Sequence, residues 1–162
     1  MLNINDFIIE KLKINSKSKI SNQDYKYLPK TNAELFDLVE KRIKEEGDNI
    51  DFNDIDTSNI DDMEGIFAYK SKLTKIDISE WDVSNVTNMT GMFEGCKKIN
   101  CDLSAWDVHN ATNMERMFYN CESLNQNFDD WQINKDAEVQ FMFGGCKSLK
   151  HKPDWYTTRI NS

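Results

Sequence analysis

Apolar residues recur along this chain with a fixed period. Trp81, Trp106 and Trp131 stand 25 residues apart, and Met92-Phe93 returns in phase as Met117-Phe118 and Met142-Phe143. Cys96, Cys121 and Cys146 keep the same phase. In the unit that begins at Leu73, Ile76 and Ile78 alternate with Asp77, which predicts a short half-buried strand. Then the period changes. Val86, Met89, Met92, Phe93 and Cys96 fall at spacings of three and four, which predicts a short helix with one buried stripe. Ser84, Asn85 and Thr87 are candidate caps for its first turn, and Gly95 sits near its end. A degenerate unit at Ile55–Phe67 precedes these, and Pro153-Asp154-Trp155-Tyr156 begins a partial last one. A period of this size predicts stacked turns that bury a shared core, since one turn cannot bury its apolar side alone.

Before the repeats the pattern is helical. Thr31-Asn32-Ala33-Glu34 has the form of a capping box, and Leu35, Phe36, Leu38, Val39 and Ile43 form an apolar stripe that Gly47 ends. The expected role is a lid on the first repeat. Ile4, Phe7, Ile8, Lys11 and Leu12 suggest a further short amphipathic helix, followed by a polar linker. The chain therefore divides into a basic leader (1–30), a capping helix (31–51) and a repeat region (52–162).

Charge separates the same parts. Residues 1–30 hold six Lys against Asp6, Glu10 and Asp24, a net +3, while the rest carries −11 within the total of −8. The acidic repeats disfavour nucleic acid, whose binding rests on neutralised phosphates. Asp6 and Glu10 interrupt what would be the apolar core of a secretory signal, and no apolar run is long enough for a membrane span. The expected location is the cytoplasm or a virion. In such a compartment the four cysteines are expected as thiols, with Cys96, Cys121 and Cys146 buried in a row.

The string Trp81-Asp82-Val83-Ser84-Asn85-Val86-Thr87-Asn88-Met89, with Met92-Phe93 and Cys96, resembles the BspA-like leucine-rich repeats of bacterial surface proteins. The leader resembles N-terminal segments of BspA-like proteins encoded by Bacteroidetes phages. The resemblance implies an α/β fold: a right-handed leucine-rich-repeat-like solenoid of short parallel strands and short helices, with a helical N-terminal cap.

No catalytic constellation is visible, and no metal or cofactor is expected. His109 and His151 are tied to no nucleophile, and the cysteines lack a paired metal-ligand spacing. The tryptophans share the phase of other apolar residues and are expected in the core. The outward strand positions are more informative. Asp77, Asp102, Asn127 and Lys152 should form a row with about 5 Å between neighbours. Asp82 and Asp107 form a second row. A cation could bridge such carboxylates; the simpler role is hydrogen bonding to their own turns. The expected function is a non-enzymatic protein–protein interaction module, as a phage-encoded adaptor acting on a host or virion protein. The alternatives are a structural capsid or virion accessory subunit and a cell-surface adhesin. The expected contact residues are Asp77, Asp102, Asn127 and Lys152 on the repeats, with Phe7, Ile8 and Lys11 in the leader.

Overall fold

The structure is a computed structural model that describes residues 25–161. Helix α1 spans Asn32–Glu46. Thr31 Oγ1 accepts from Glu34 N at 3.2 Å, and the Glu34 carboxylate accepts from Lys30 N at 2.7 Å. Those bonds satisfy amides that the helix cannot pair itself. Leu35 and Val39 lie wholly in the core. Gly47, at φ 89°, ends the helix by returning its N–H to Ile43 O. Strands β1 (Asn49–Asp51) and β2 (Lys75–Asp77) then pair in parallel, with buried Ile50 opposite buried Ile76. Helix α2, Asp154–Ile160, closes the described chain. No helix among the described residues is long and apolar enough to cross a membrane.

These elements correct the expected fold. An α/β leucine-rich-repeat solenoid would place a strand and a helix in each unit. The described residues hold two helices, one at each end, and a single two-stranded sheet. The units between are turns and irregular backbone. Where Val86–Cys96 was expected to be helical, Met92 N bonds Met89 O and Cys96 N bonds Phe93 O, closing two successive tight turns. The third residue of each turn has positive φ, at Gly91 (55°) and Gly95 (72°). A left-handed residue every four positions excludes an α-helix. The same pair of positions is left-handed at Gly65 and Tyr69, Arg116 and Asn120, and Phe141 and Gly145. Two turns of this kind space apolar residues at three, one and three, which imitates one face of a helix.

The strand expected around Asp102 is also absent. The Gln126 side-chain amide stands beside it, accepting from Leu103 N at 3.1 Å and donating to Cys101 O. A side chain takes groups that a neighbouring strand would have paired.

Successive units are held in register by backbone bonds that run sideways. Met89, Gly91, Phe93 and Gly95 donate to Asn113 O, Glu115 O, Met117 O and Tyr119 O. Alternate amides thus leave the turn for the next unit, and the remainder close the turns. Inside, Phe67, Phe93, Phe118 and Phe143 stack face to face, with centroids 5.4, 5.4 and 5.7 Å apart and rings within 5° of parallel. Trp81, Trp106 and Trp131 donate Nε1–H to Phe52 O, Ile78 O and Leu103 O, so each indole spans two units. The exposed edges of this row are closed by side chains. Asn32 Nδ2 donates to Asp62 O and Glu64 O at one end, and Arg159 donates to Asn134 O and Ala137 O at the other. Capping of this kind blunts edges that would otherwise pair with another chain.

Cys96 Sγ donates to Phe67 O at 2.8 Å, and Cys121 and Cys146 repeat the contact with Phe93 O and Phe118 O. Burial pushes the Cys96 thiol up to about 12 and Cys146 to about 11, and raises Cys121 as well. Since the thiolate is the reactive form, all three should label slowly at pH 8 in the native protein and quickly in denaturant. Half-buried Cys146 should react first of the three. Rapid native labelling of Cys96 and Cys121 would contradict this packing.

Candidate functional site

The expected contact residues divide into those inside and those outside the described chain. Phe7, Ile8 and Lys11 lie outside it. Asp77, Asp102, Asn127 and Lys152 are exposed. Three of them are engaged by their own turns. Asp77 Oδ1 accepts from Ser79 N at 3.1 Å and from Ser79 Oγ at 2.7 Å. Asp102 and Asn127 accept from Ser104 N and Asp129 N at 2.9 and 2.8 Å. Asp51 makes the same bond one unit earlier, to Asn53 N. Short polar side chains that bond the backbone two residues on are a standard means of stabilising a turn. Hydrogen bonds from Asn53 and Ser79 hold the Asp77 carboxyl below its usual range, and Ser104 does the same for Asp102. Asp82 and Asp107 repeat the pattern with Ser84 and His109. Lys152 stands apart, with Nζ 5.9 Å from the Tyr156 ring centroid. Among the described residues no group of three or more His, Cys, Asp and Glu is placed to hold a metal ion.

A different strip of side chains has the character of a contact surface. Tyr69, Arg116 and Phe141 are left-handed residues at positions where other units carry glycine. Tyr69 is 70% exposed and Phe141 58%. Tyr69 OH donates to Glu94 Oε1 at 2.5 Å, and this bond raises the phenol's pKa. The same Glu94 oxygen lies 3.8 Å from Arg116 Nη1. The Arg116 guanidinium lies 5.3 Å from the Tyr119 ring and 5.7 Å from the Phe141 ring, within cation–π range of both. Tyr69, Glu94, Arg116, Tyr119 and Phe141 thus form one connected line across four units.

Sequence reasoning passed over this strip because it looked for outward positions on strands, whereas Tyr69, Glu94, Arg116, Tyr119 and Phe141 lie in turns. The signal was nevertheless present. The third position of the first turn reads Gly65, Gly91, Arg116, Phe141, and that of the second reads Tyr69, Gly95, Asn120, Gly145. Glycine in some units and Tyr69, Arg116, Asn120 or Phe141 in others at the same phase marks positions where the backbone asks for glycine and something else was kept.

A family model described as "Mycoplasma protein of unknown function, DUF285" matches residues 34–156, well over half of the chain. The chain belongs to this family. That finding replaces the attribution to BspA-like leucine-rich repeats, and with it the membership of a Bacteroidetes-phage group read from the leader. The apolar period was real, but its Trp and Met-Phe positions report core packing, which unrelated repeat families can share. No curated protein and no solved structure matches the chain. The matched region begins inside α1 and ends inside α2, so it takes in every unit of the DUF285 fold and the whole aromatic strip.

Proposed function

We propose that the protein is a non-enzymatic protein-binding module whose contact surface is the strip Tyr69–Glu94–Arg116–Tyr119–Phe141. The observation that supports it is the backbone conformation of Tyr69, Arg116 and Phe141. A left-handed non-glycine residue costs about 1–2 kcal/mol. Exposed side chains return little of that to the fold. Strain held at exposed positions is a mark of functional sites. The residue types agree, since tyrosine and arginine dominate the energetics of protein interfaces. A paired or rigidly placed arginine also loses little freedom on binding.

The test is a comparison of stability with binding. Asparagine tolerates positive φ. Phe141→Asn should therefore stabilise the fold by about 0.5–1 kcal/mol, part of the left-handed cost. The doubly substituted Arg116→Asn, Phe141→Asn protein should melt no lower than the parent. It should lose a partner captured by the parent from a native lysate and identified by mass spectrometry. Asp77→Asn with Asp102→Asn should keep that partner. Retention of the partner by the strip variant, or its loss from the carboxylate variant, would move the contact surface elsewhere.

A further inference from the structure

The last repeat unit differs from those before it in what its sideways amides meet. Met63, Gly65, Phe67 and Tyr69 donate to Asn88 O, Thr90 O, Met92 O and Glu94 O, and the next two units repeat this at all four positions. After Gly145 the described chain has no further unit, and α2 lies there instead. Its closure of the edge is partial. Arg159 takes Asn134 O and Ala137 O, and the Tyr156 hydroxyl takes the Phe143 amide. Among the described residues Val139 N–H and Phe141 N–H have no acceptor. The carbonyls are in use, since each from Ala137 to Gly144 already accepts a hydrogen bond. The edge therefore offers donors and no unengaged carbonyl. Beside it lies a cavity of about 260 Å³ between residues 135–140 and the end of α2, with Ala137, Val139 and exposed Ile160 on its apolar side.

We infer that this edge takes an Asn- or Asp-led segment of a partner protein, laid on residues 138–141 as each unit is laid on the one before it. The inference rests on the protein being a binding module, and it names the kind of partner. The earlier junctions show what fits. Asp62 bridges Asn88, and Asn88 bridges Asn113, both in parallel. Each incoming Asn accepts a sideways amide at its carbonyl, from Met63 and Met89 respectively. Its side chain accepts from the amide two residues on, which fixes the turn. The carbonyl of that second residue then accepts the next sideways amide, as Thr90 O does from Gly65 and Glu115 O from Gly91. A partner segment of this form meets Val139 N–H and Phe141 N–H in turn. Main-chain bonds of this kind carry the affinity when a segment adds to an open edge. A bound anion is a poorer match, because Asp136 and Glu138 line the cavity beside Lys135 and Arg159. A second copy is poorer too. Its Asn88 and Asn113 carbonyls are taken by its own Met63 and Met89, and its Asp62 O by Asn32. Two copies edge to edge would set donor against donor.

The experiment uses full-length 15N-labelled protein and an acetylated, amidated peptide, Val-Thr-Asn-Met-Thr-Gly-Met-Phe, which copies residues 86–93. Saturable amide shifts are expected at Val139, Gln140 and Phe141, with slower hydrogen exchange at Val139 and Phe141. The peptide with Ala for Asn should bind about fivefold more weakly, the worth of one hydrogen bond. Arg159→Ala should bind the parent peptide more tightly by a similar factor. It opens Ala137 O to the peptide's Asn N–H, the bond that Asn113 N makes to Thr87 O inside the stack. Absence of saturable shifts would overturn the proposal. So would equal shifts from the reversed sequence, or no gain in an Arg159→Ala protein that keeps the parent's dispersed spectrum. Should that variant lose the spectrum, the Ala-for-Asn peptide decides. Protection of the two amides that grows with protein concentration, without peptide, would give the edge to a second copy instead. The Arg116→Asn, Phe141→Asn protein keeps both amides and so separates the two readings. If it binds the peptide as the parent does, the edge stands whatever becomes of the strip. If it loses its captured partner while the parent binds no peptide, the strip stands and the edge falls.

Discussion

Replacing Phe118 by alanine should cost the fold about 3–5 kcal/mol, the range for truncating a fully buried aromatic. Phe118 is 1% exposed and sits in the middle of the ring stack. It faces Phe93 at 5.4 Å and Phe143 at 5.7 Å, and it also meets Phe128 at 5.3 Å and Trp131 at 6.3 Å. Its carbonyl accepts from Cys146 Sγ. Rings on both faces limit how far the site can collapse, because closing the gap would pull apart backbone bonds that set the spacing of the units. The cavity therefore stays largely open, which puts the cost at the upper part of the range. Chemical denaturation of the variant and the parent would measure it. A loss below about 1 kcal/mol would mean that the stack is not a shared core.

Arg42→Met should cost the fold about 2 kcal/mol. Arg42 is 7% exposed although it is a charged residue of a surface helix. Its guanidinium donates to Glu46 at 2.7 and 3.0 Å, to Asp54 at 2.5 Å and to Asp51 O at 2.8 Å. It also lies 5.0 Å from the Phe52 ring. The residue ties α1 to the chain that leaves β1. Removing one partner of a fully buried pair costs about 3–5 kcal/mol. Here the side chains of Glu46 and Asp54 are 44% and 35% exposed, so water can recover them and the lower figure applies.

The Arg42 contacts also set a pH dependence. The hydrogen bond from Arg42 holds the Glu46 carboxyl below its ordinary value. A carboxyl with a depressed folded pKa contributes stability that is complete above its unfolded value and is lost as pH falls through the folded one. The stability gap between parent and Arg42→Met should therefore be widest above the ordinary glutamate range, near 4.3, and narrow below it. Urea denaturation at neutral pH and below the carboxylate range would show this. A gap that widens on acidification would contradict the assignment.

Arg42 illustrates what sequence reading can and cannot reach. It lies inside the α1 pattern, seven residues after Leu35 and three after Val39, so the helical period turns it toward their buried side. Its burial depends on Asp54 and Asp51, which a turn and a strand bring back to the helix. The Asx-type turns at Asp77, Asp102 and Asn127 were open to sequence because their partners lie two residues on. The strip was not found, since Tyr69, Glu94, Arg116 and Phe141 are joined only across neighbouring units. Arg116 and Phe141 lie 25 residues apart at one phase, a relation that has meaning only once the turns are in register.

The sequence by itself determined that the repeated tryptophans and Met-Phe pairs are buried. A 25-residue period in tryptophan, Met-Phe and cysteine can be satisfied only by a shared interior, because the apolar groups of one unit cannot leave water alone. It also determined α1, whose cap residues and apolar stripe act within a few residues of one another. Only the tertiary structure decided the backbone that carries the period. Spacings of three and four suit a helix and a pair of tight turns alike. The choice rests with amides that leave each turn for a carbonyl of the next unit, and with left-handed residues that a helix cannot hold. Those bonds join residues about 25 positions apart, beyond what any local pattern expresses.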